Sequence, residues 1–234
     1  MSAYGGGKIV SDSLLFMYDI YDKQCWVSGS SYLNDKTGLT DAVDIYASHS
    51  QFDADGYPIY DSTDPTTMYW DNSAVRLLQN NYTVQFWFRR DGDAGTGPAG
   101  SNAYHTLVSG IGDSQVIIGR VGDRFLWWGR VGGSSKYHNS GVIAGLIPVG
   151  EWIFYTFVKT DYSGSYLWFN DSIQSQDENY TASLDNSAVG RQTIGRNDNY
   201  VPNGSLPVVM VYDRILSDNE IYANYLSTRG RFGK

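Results

Sequence analysis

The 234-residue sequence is poor in the residues from which most catalytic and metal sites are built. It holds one cysteine, Cys25, and three histidines, His49, His105 and His138. One cysteine excludes an internal disulfide, and a compact chain of this length buries roughly 70–75% of its unfolded surface without one. Cys25 is therefore expected as a buried structural thiol, and the lack of disulfides fits folding in a reducing cytoplasm. The histidines stand far apart, with no second His or Cys at metal-ligand spacing. Glutamate is scarce: only Glu151, Glu178 and Glu220 occur, so nearly all of the 25 acidic residues are Asp. No G-x-S-x-G elbow and no phosphate-cradling glycine loop leading into a helix is present.

Long apolar runs are also missing. None approaches the ~20 residues that span a bilayer as a helix, so no membrane insertion is expected. Residues 1–10 (MSAYGGGKIV) lack a basic stretch followed by an apolar core, so they read as a flexible glycine-containing arm and not as a leader. Basic residues are outnumbered: the formal charge is −8 with a pI near 4.7. Nucleic-acid binders cluster Lys and Arg to neutralise phosphates, so a nucleic-acid partner is not expected. Helical periodicity is absent over almost the whole length.

What is present is β-forming. Tyr 19, Trp 7 and Gly 26 suit a sheet protein with many turns. Leu14–Asp19 (LLFMYD) reads as a buried strand, and residues 28–67 as long loops with short strands. Met68–Leu78 reads as strand, turn, strand. In Tyr82–Arg89 (YTVQFWFR) the alternation sends Tyr82, Val84, Phe86 and Phe88 to the core and Thr83, Gln85, Trp87 and Arg89 outward. The stretch GDAGTGPAGSN follows as a loop, then His105–Ser109 as a strand. Gln115–Arg120 with Arg124–Arg130 predicts one hairpin, and Trp152–Lys159 with Ser165–Asn170 another. Both faces of the second hairpin are apolar, which places it centrally or under cover on both sides. Arg191–Arg196 and Leu206–Tyr212 complete the strands, and Pro207 suggests a sheet edge or a strand beginning for the last.

One helix is expected, at the C-terminus. Ser217 and Glu220 have the N-cap and N3 spacing of a capping box, and Leu216 with Ile221 that of a hydrophobic staple. Ile221, Tyr225 and Leu226 make its buried stripe, and Gly230 is the expected stop. About twelve strands and one helix predict an all-β, two-sheet antiparallel jelly-roll sandwich. The expected organisation is an arm over 1–10 and a single domain over 11–234.

The order of these segments resembles the laminin-G-like, concanavalin A-like lectin/glucanase jelly rolls. LLFMYD is similar to their opening strand and NYTVQFWF (81–88) to their FTVEAWF strand. GEWIFYTFVK (150–159) with YLWFND (166–171) resembles their W…LYxNG hairpin, with Asp171 in place of the usual Gly. TIGR (193–196) matches their IGR strand. The ending GSLPVVMVYDRILSDNEIYANYLSTRGRFG (204–233) resembles one frequent in domains of tailed-phage virion proteins. The resemblance implies a virion structural protein assembled in the host cytoplasm: a capsid decoration, head fibre, or tail or baseplate appendage. Other virion proteins would be its partners, and it would form a symmetric homo-oligomer, with a trimer as the leading form.

The same superfamily includes glucanases, whose paired carboxylates lie about 5–5.5 Å apart in retaining enzymes. Their E-x-D-x-x-E run is absent here, so no catalysis and no cofactor is expected. Calcium is the metal that such folds suggest, with Asp91, Asp93 and Asp198 as ligand candidates. Asp and Asn are also what turns require, and neither cluster matches a ligand-loop pattern. Exposed aromatic rings beside amide and carboxylate groups suit sugars. Trp87, Trp127, Trp128 and the loop Asn197, Asp198, Asn199 and Tyr200 are the candidates. The same rings suit a protein interface, which is the preferred reading, with glycan adsorption as the alternative.

Overall fold

The computed structural model describes residues 7–22, 25, 32–39, 43–45, 51–52, 58–60, 68–70, 78, 81–92, 105–109, 114–118, 125–131, 134–139, 148–160, 165–170, 172–177, 192–194 and 203–234. These form two antiparallel sheets. The first runs β14 (Ser172–Asp177), β13 (Ser165–Phe169), β12 (Trp152–Lys159), β7 (Tyr82–Arg90), β16 (Gly204–Tyr212), β5 (Pro58–Tyr60), β4 (Gln51–Phe52), with β1 (Leu14–Asp19) also paired to β16. The second runs β11 (Ser134–Asn139), β10 (Phe125–Val131), β9 (Ser114–Ile118), β8 (His105–Ser109), β15 (Gln192–Ile194), β6 (Met68–Trp70), β3 (Val43–Ile45), β2 (Tyr32–Leu33). The expected two-sheet jelly roll with one C-terminal helix is therefore the observed fold. It is built from more and shorter strands than the sequence suggests.

The centre of the first sheet, β7, β12 and β16, is buried on both faces. Val84, Phe86, Phe88, Tyr155, Phe157 and Val209 alternate with Trp87, Phe154, Val158, Val208 and Met210, and all are buried. The second set joins Ile221, Tyr225 and Phe232 of the C-terminal segment in one cluster. The expectation that Thr83, Gln85 and Trp87 face outward is corrected here. They alternate as predicted, but the helix α1 (Asp218–Thr228) covers that face and all three are fully buried. Gln85 survives burial because it donates to Thr156 Oγ1 at 3.0 Å and accepts from Asn224 Nδ2 at 2.7 Å. Thr83 Oγ1 likewise donates to Arg214 O and accepts from Leu216 N–H.

β16 is central, not an edge, which corrects the reading of Pro207. β7 flanks it on one side, and β5 and then β1 share the other. Pro207 falls where the β7 ladder slips between Ser205 and Val208, and where β5 gives way to β1. A proline without an N–H is tolerated at such a bulge, and its carbonyl accepts from Ile20 N–H at 3.1 Å. Gly204 opens the strand where a Cβ would lie 2.1 Å from Arg89 O, so close approach requires glycine there.

In the turn between β13 and β14, Asn170 takes a positive φ of 55° and its Oδ1 accepts from Phe154 N–H of β12 at 3.2 Å. The left-handed residue of this turn motif is thus Asn170, one before the position where Asp171 replaces the family's glycine. After α1 the chain continues through a 3₁₀ turn, Arg229–Phe232, and Gly233 takes the left-handed cap at φ 68°. The stop is accordingly Gly233, and Gly230 lies inside the turn. The end of the predicted arm is tied down: Val10 N–H donates to Asn224 Oδ1 at 2.8 Å and Val10 O accepts from Tyr212 Oη at 3.0 Å.

Candidate functional site

Trp87 is not presented at the surface, which corrects its candidacy as a sugar or partner contact. Its exposure is 0%, its Nε1–H donates to Thr228 Oγ1 at 2.8 Å, and its ring stacks on Phe232 with centroids 4.3 Å apart. An outward position on a strand is exposed only when nothing packs over it, and here the helix does.

Trp127 and Trp128 lie on β10, one strand in from the β11 edge of the second sheet; their side chains fall outside the described residues. Register still separates them. Residues directly opposite in an antiparallel ladder share a sheet face, and consecutive residues take opposite faces. Trp128 stands opposite Tyr137 on β11 and Gln115 on β9. Gln115 stands opposite Ser109, Ser109 opposite Thr193, Thr193 opposite Tyr69, Tyr69 opposite Asp44 and Asp44 opposite Tyr32. One row across the sheet is thus aromatic, hydroxyl, amide and carboxylate throughout.

The row beside it differs. Trp127 stands opposite His138 and Val116, followed by Val108, Ile194, Met68 and Ile45. Val108, whose burial is described, is fully buried, so this apolar row belongs to the core face. The register places Trp127 with the core row and Trp128 with the polar-aromatic row. At about 4.8 Å per strand the polar-aromatic row from Asp44 to Tyr137 extends roughly 30 Å. Tyr32, Asp44, Tyr69, Gln115 and Tyr137 were not singled out from sequence, because only strand pairing brings them together. Their period-2 alternation within each short strand is the one sequence signal they carry.

The remaining candidates divide between described and undescribed residues. Asn197, Asp198, Asn199, Tyr200 and Asp93 lie outside the described residues. Asp91 is exposed and ion-paired to Arg89, with Nε to Oδ1 at 2.7 Å. Among the described residues no group of three or more His, Cys, Asp or Glu is placed to hold a metal ion.

Ser217 and Glu220 do form the capping box. Glu220 Oε2 accepts from the Ser217 N–H at 2.9 Å, and Arg214 clamps the carboxylate with bonds of 2.6 and 2.9 Å. The Arg214 hydrogen bond, aided by Ser217, holds the Glu220 carboxyl down at about 2. Asp19, almost fully buried, pairs with Arg231; burial raises its pKa while Arg231 opposes that rise. Cys25 is buried, and desolvation pushes its thiol up to about 11. None of these groups is arranged as an acid–base pair. Glu151 is exposed and lies 3.4 Å from Lys234 Nζ.

The comparisons agree with this geometry. A family model described as the concanavalin A-like lectin/glucanases superfamily (Laminin_G_3) matches residues 64–222. A comparison with curated protein sequences finds no match. Among solved structures, the binding domain of Paraclostridial Mosquitocidal Protein 1 is similar at TM-score 0.66 and 14% identity, covering 92% of this chain and 52% of that one. The receptor-binding domain of botulinum neurotoxin C/D mosaic serotype is similar at TM-score 0.63 and 14% identity, covering 94% and 52%. The chain thus spans about half the length of these toxin domains. Domain 4 of AbnA, an extracellular GH43 arabinanase from Geobacillus stearothermophilus solved with arabinotriose, is similar at TM-score 0.62 and 16% identity, covering 91% of this chain and 98% of that one. At these identities the likeness is one of fold.

Proposed function

Because the chain belongs to the concanavalin A-like lectin/glucanases superfamily as a Laminin_G_3 domain, we propose that it is a non-catalytic saccharide-recognition module. The observation that carries this reading is the row Asp44–Tyr69–Thr193–Ser109–Gln115–Trp128–Tyr137. Aromatic faces stack on the apolar side of a sugar ring, while hydroxyl, amide and carboxylate groups beside them fix the hydroxyls. The arabinotriose held by the AbnA domain supports the same class of ligand, since that domain shares nearly its whole length with this fold. The scarcity of glutamate, and the engagement of Glu220 in the helix cap, support the absence of glycosidase chemistry.

The test is a glycan array probed with the wild-type protein and with Trp128→Ala. Binding by the wild type that falls about tenfold or more in the variant is the expected result, as loss of one stacking ring in such a site dictates. Binding by neither protein would sink the reading.

The setting we infer is a phage virion appendage, assembled in the host cytoplasm as a symmetric homo-oligomer, in which the module attaches the particle to a surface glycan. The resemblance of residues 204–233 to virion-protein endings supports it. That ending also has a structural reason: Arg231 pairs with Asp19 and Phe232 stacks on Trp87, so the motif latches the helix to the sheet. A protein gel of purified particles lacking this polypeptide would contradict the setting.

A further inference from the structure

A second surface of different chemistry lies beside α1. An open groove of about 780 Å³ is lined by Ile9, Leu14, Met17 and Leu39 on its apolar part and by Lys8, Lys36 and Arg231 on its polar part. Its volume falls within the range of about 300–1,000 Å³ typical of ligand sites. No Asp or Glu is among its described lining residues, although the chain carries a net charge of −8. Two of these cations are ion-paired, Arg231 with Asp19 and Lys36 with Asp22, and neither carboxylate is among the described lining residues. Lys8 has no partner among the described residues. Leu39, a large apolar side chain, is 63% exposed at the groove.

The backbone along one side is also open. Val10 is fully bonded to Asn224 and Tyr212, but Gly7, Lys8 and Ile9 make no hydrogen bond among the described residues. The opposite side is closed: Met17 N–H donates to Asp35 Oδ1 and Met17 O accepts from Lys36 N–H, so the outer edge of β1 is already paired. A backbone segment without hydrogen bonds among the described residues, an aliphatic floor and a cationic rim together match one occupant. A strand-like peptide pairs its main chain with the free segment and sends alternate side chains to opposite sides. A saccharide fits less well, because the described lining residues include no aromatic ring for stacking.

From these features the geometry points to a docking site for an extended segment of a partner protein in which acidic and aliphatic residues alternate. The inference does not rest on the saccharide reading, since the groove borders the helix-covered sheet and the polar-aromatic row lies on the other one.

The experiment is fluorescence anisotropy of a fluorescein-labelled peptide of alternating Glu and Leu, titrated with the full chain. Controls are the same peptide with Lys for Glu, and the variants Lys8→Glu and Leu39→Asp, which alter exposed side chains without hydrogen-bond or ion-pair partners among the described residues. Binding of the acidic peptide, weakened about tenfold by each variant and reduced by added salt, is expected. No binding, or equal binding of the Lys-for-Glu peptide, overturns the proposal. Equal competition by a polyuronate oligosaccharide also overturns it, by making the groove a sugar site. A tenfold gain on deleting residues 2–6 overturns it as well, because the groove would then belong to the chain's own first residues. Trp128→Ala, the variant that tests saccharide binding, should leave peptide affinity unchanged, so the two readings fail separately.

Discussion

Trp87 and Phe232 lie in stacked contact, centroids 4.3 Å apart and planes 24° apart, joining the middle of the first sheet to the last turn of the chain. Tyr225 and Trp152 close the same aromatic cluster. This contact makes the C-terminal segment part of the core.

Phe232→Ala should therefore cost about 3–5 kcal/mol, the range for deleting a buried aromatic ring. Trp87→Phe keeps a ring but leaves the Thr228 hydroxyl without its donor, and should cost about 1–3 kcal/mol. Urea unfolding followed by tryptophan fluorescence reads both, and a loss under 1 kcal/mol for Phe232→Ala would contradict the latch.

The buried Asn224 is a second expected weak point. Its side chain accepts from Val10 N–H and donates to Gln85 Oε1 and Tyr212 Oη. Asn224→Leu leaves Val10 N–H and Gln85 Oε1 without these bonds, each at about 1–3 kcal/mol, while Tyr212 Oη keeps its bond to Val10 O. It should also release residues 7–10, seen as faster cleavage after Lys8 in limited proteolysis. Unchanged cleavage would mean that packing of Ile9 and Val10 suffices to hold the arm.

Acid sensitivity has a defined source. The Glu220 carboxyl titrates at about 2 in the folded chain against an ordinary 4.5, chiefly through its hydrogen bond from Arg214. A folded pKa below the unfolded one gives stability that is present above about pH 4.5 and lost as pH falls towards 2. Asp19 carries the opposite sign, because burial raises its pKa and the native state takes up its proton first. Glu220→Gln should thus lower stability at neutral pH by about 1 kcal/mol and flatten the acid limb between pH 4.5 and 2. Urea midpoints against pH for both proteins provide the comparison; parallel curves would remove Glu220 as the cause.

Trp127 and Trp128 should separate function from stability. Trp127→Ala, in the apolar row, is expected to destabilise by about 3–5 kcal/mol. Trp128→Ala should leave the thermal midpoint within a few degrees while weakening saccharide binding about tenfold. The reverse pattern would show that the register assignment of the two faces is inverted.

Cys25 should behave as an inert thiol. With its pKa pushed to about 11 by burial, little thiolate exists at pH 8, and access is closed. A chromogenic disulfide reagent should label it only on unfolding; rapid labelling of the native protein would refute this.

Much of the fold was legible because local signals and global structure agree. The strands at Leu14–Asp19, His105–Ser109 and Trp152–Lys159 have the expected bounds, and the Ser217/Glu220 box sets the helix start. What failed did so for tertiary reasons. Alternation shows that Trp87 faces away from Phe86 and Phe88, but not that a helix packed from the far end of the chain covers it. Pro207 reads as a mark of a sheet edge or a strand beginning until a bulge and a change of partner strand supply its place. The polar-aromatic row was least legible, since its members come from seven separate strands and no sequence spacing links Asp44 to Tyr137.

The anchoring of Val10 on Asn224 and Tyr212 has a mechanical consequence. Both the first described residues and the closing helix fasten to the same sheet, through β1, β7 and β16. Tension applied between those two anchor points travels along antiparallel strands in shear and through the helix latch. It does not cross the second sheet, so a load carried between those two points leaves the register of the row at Trp128 undisturbed.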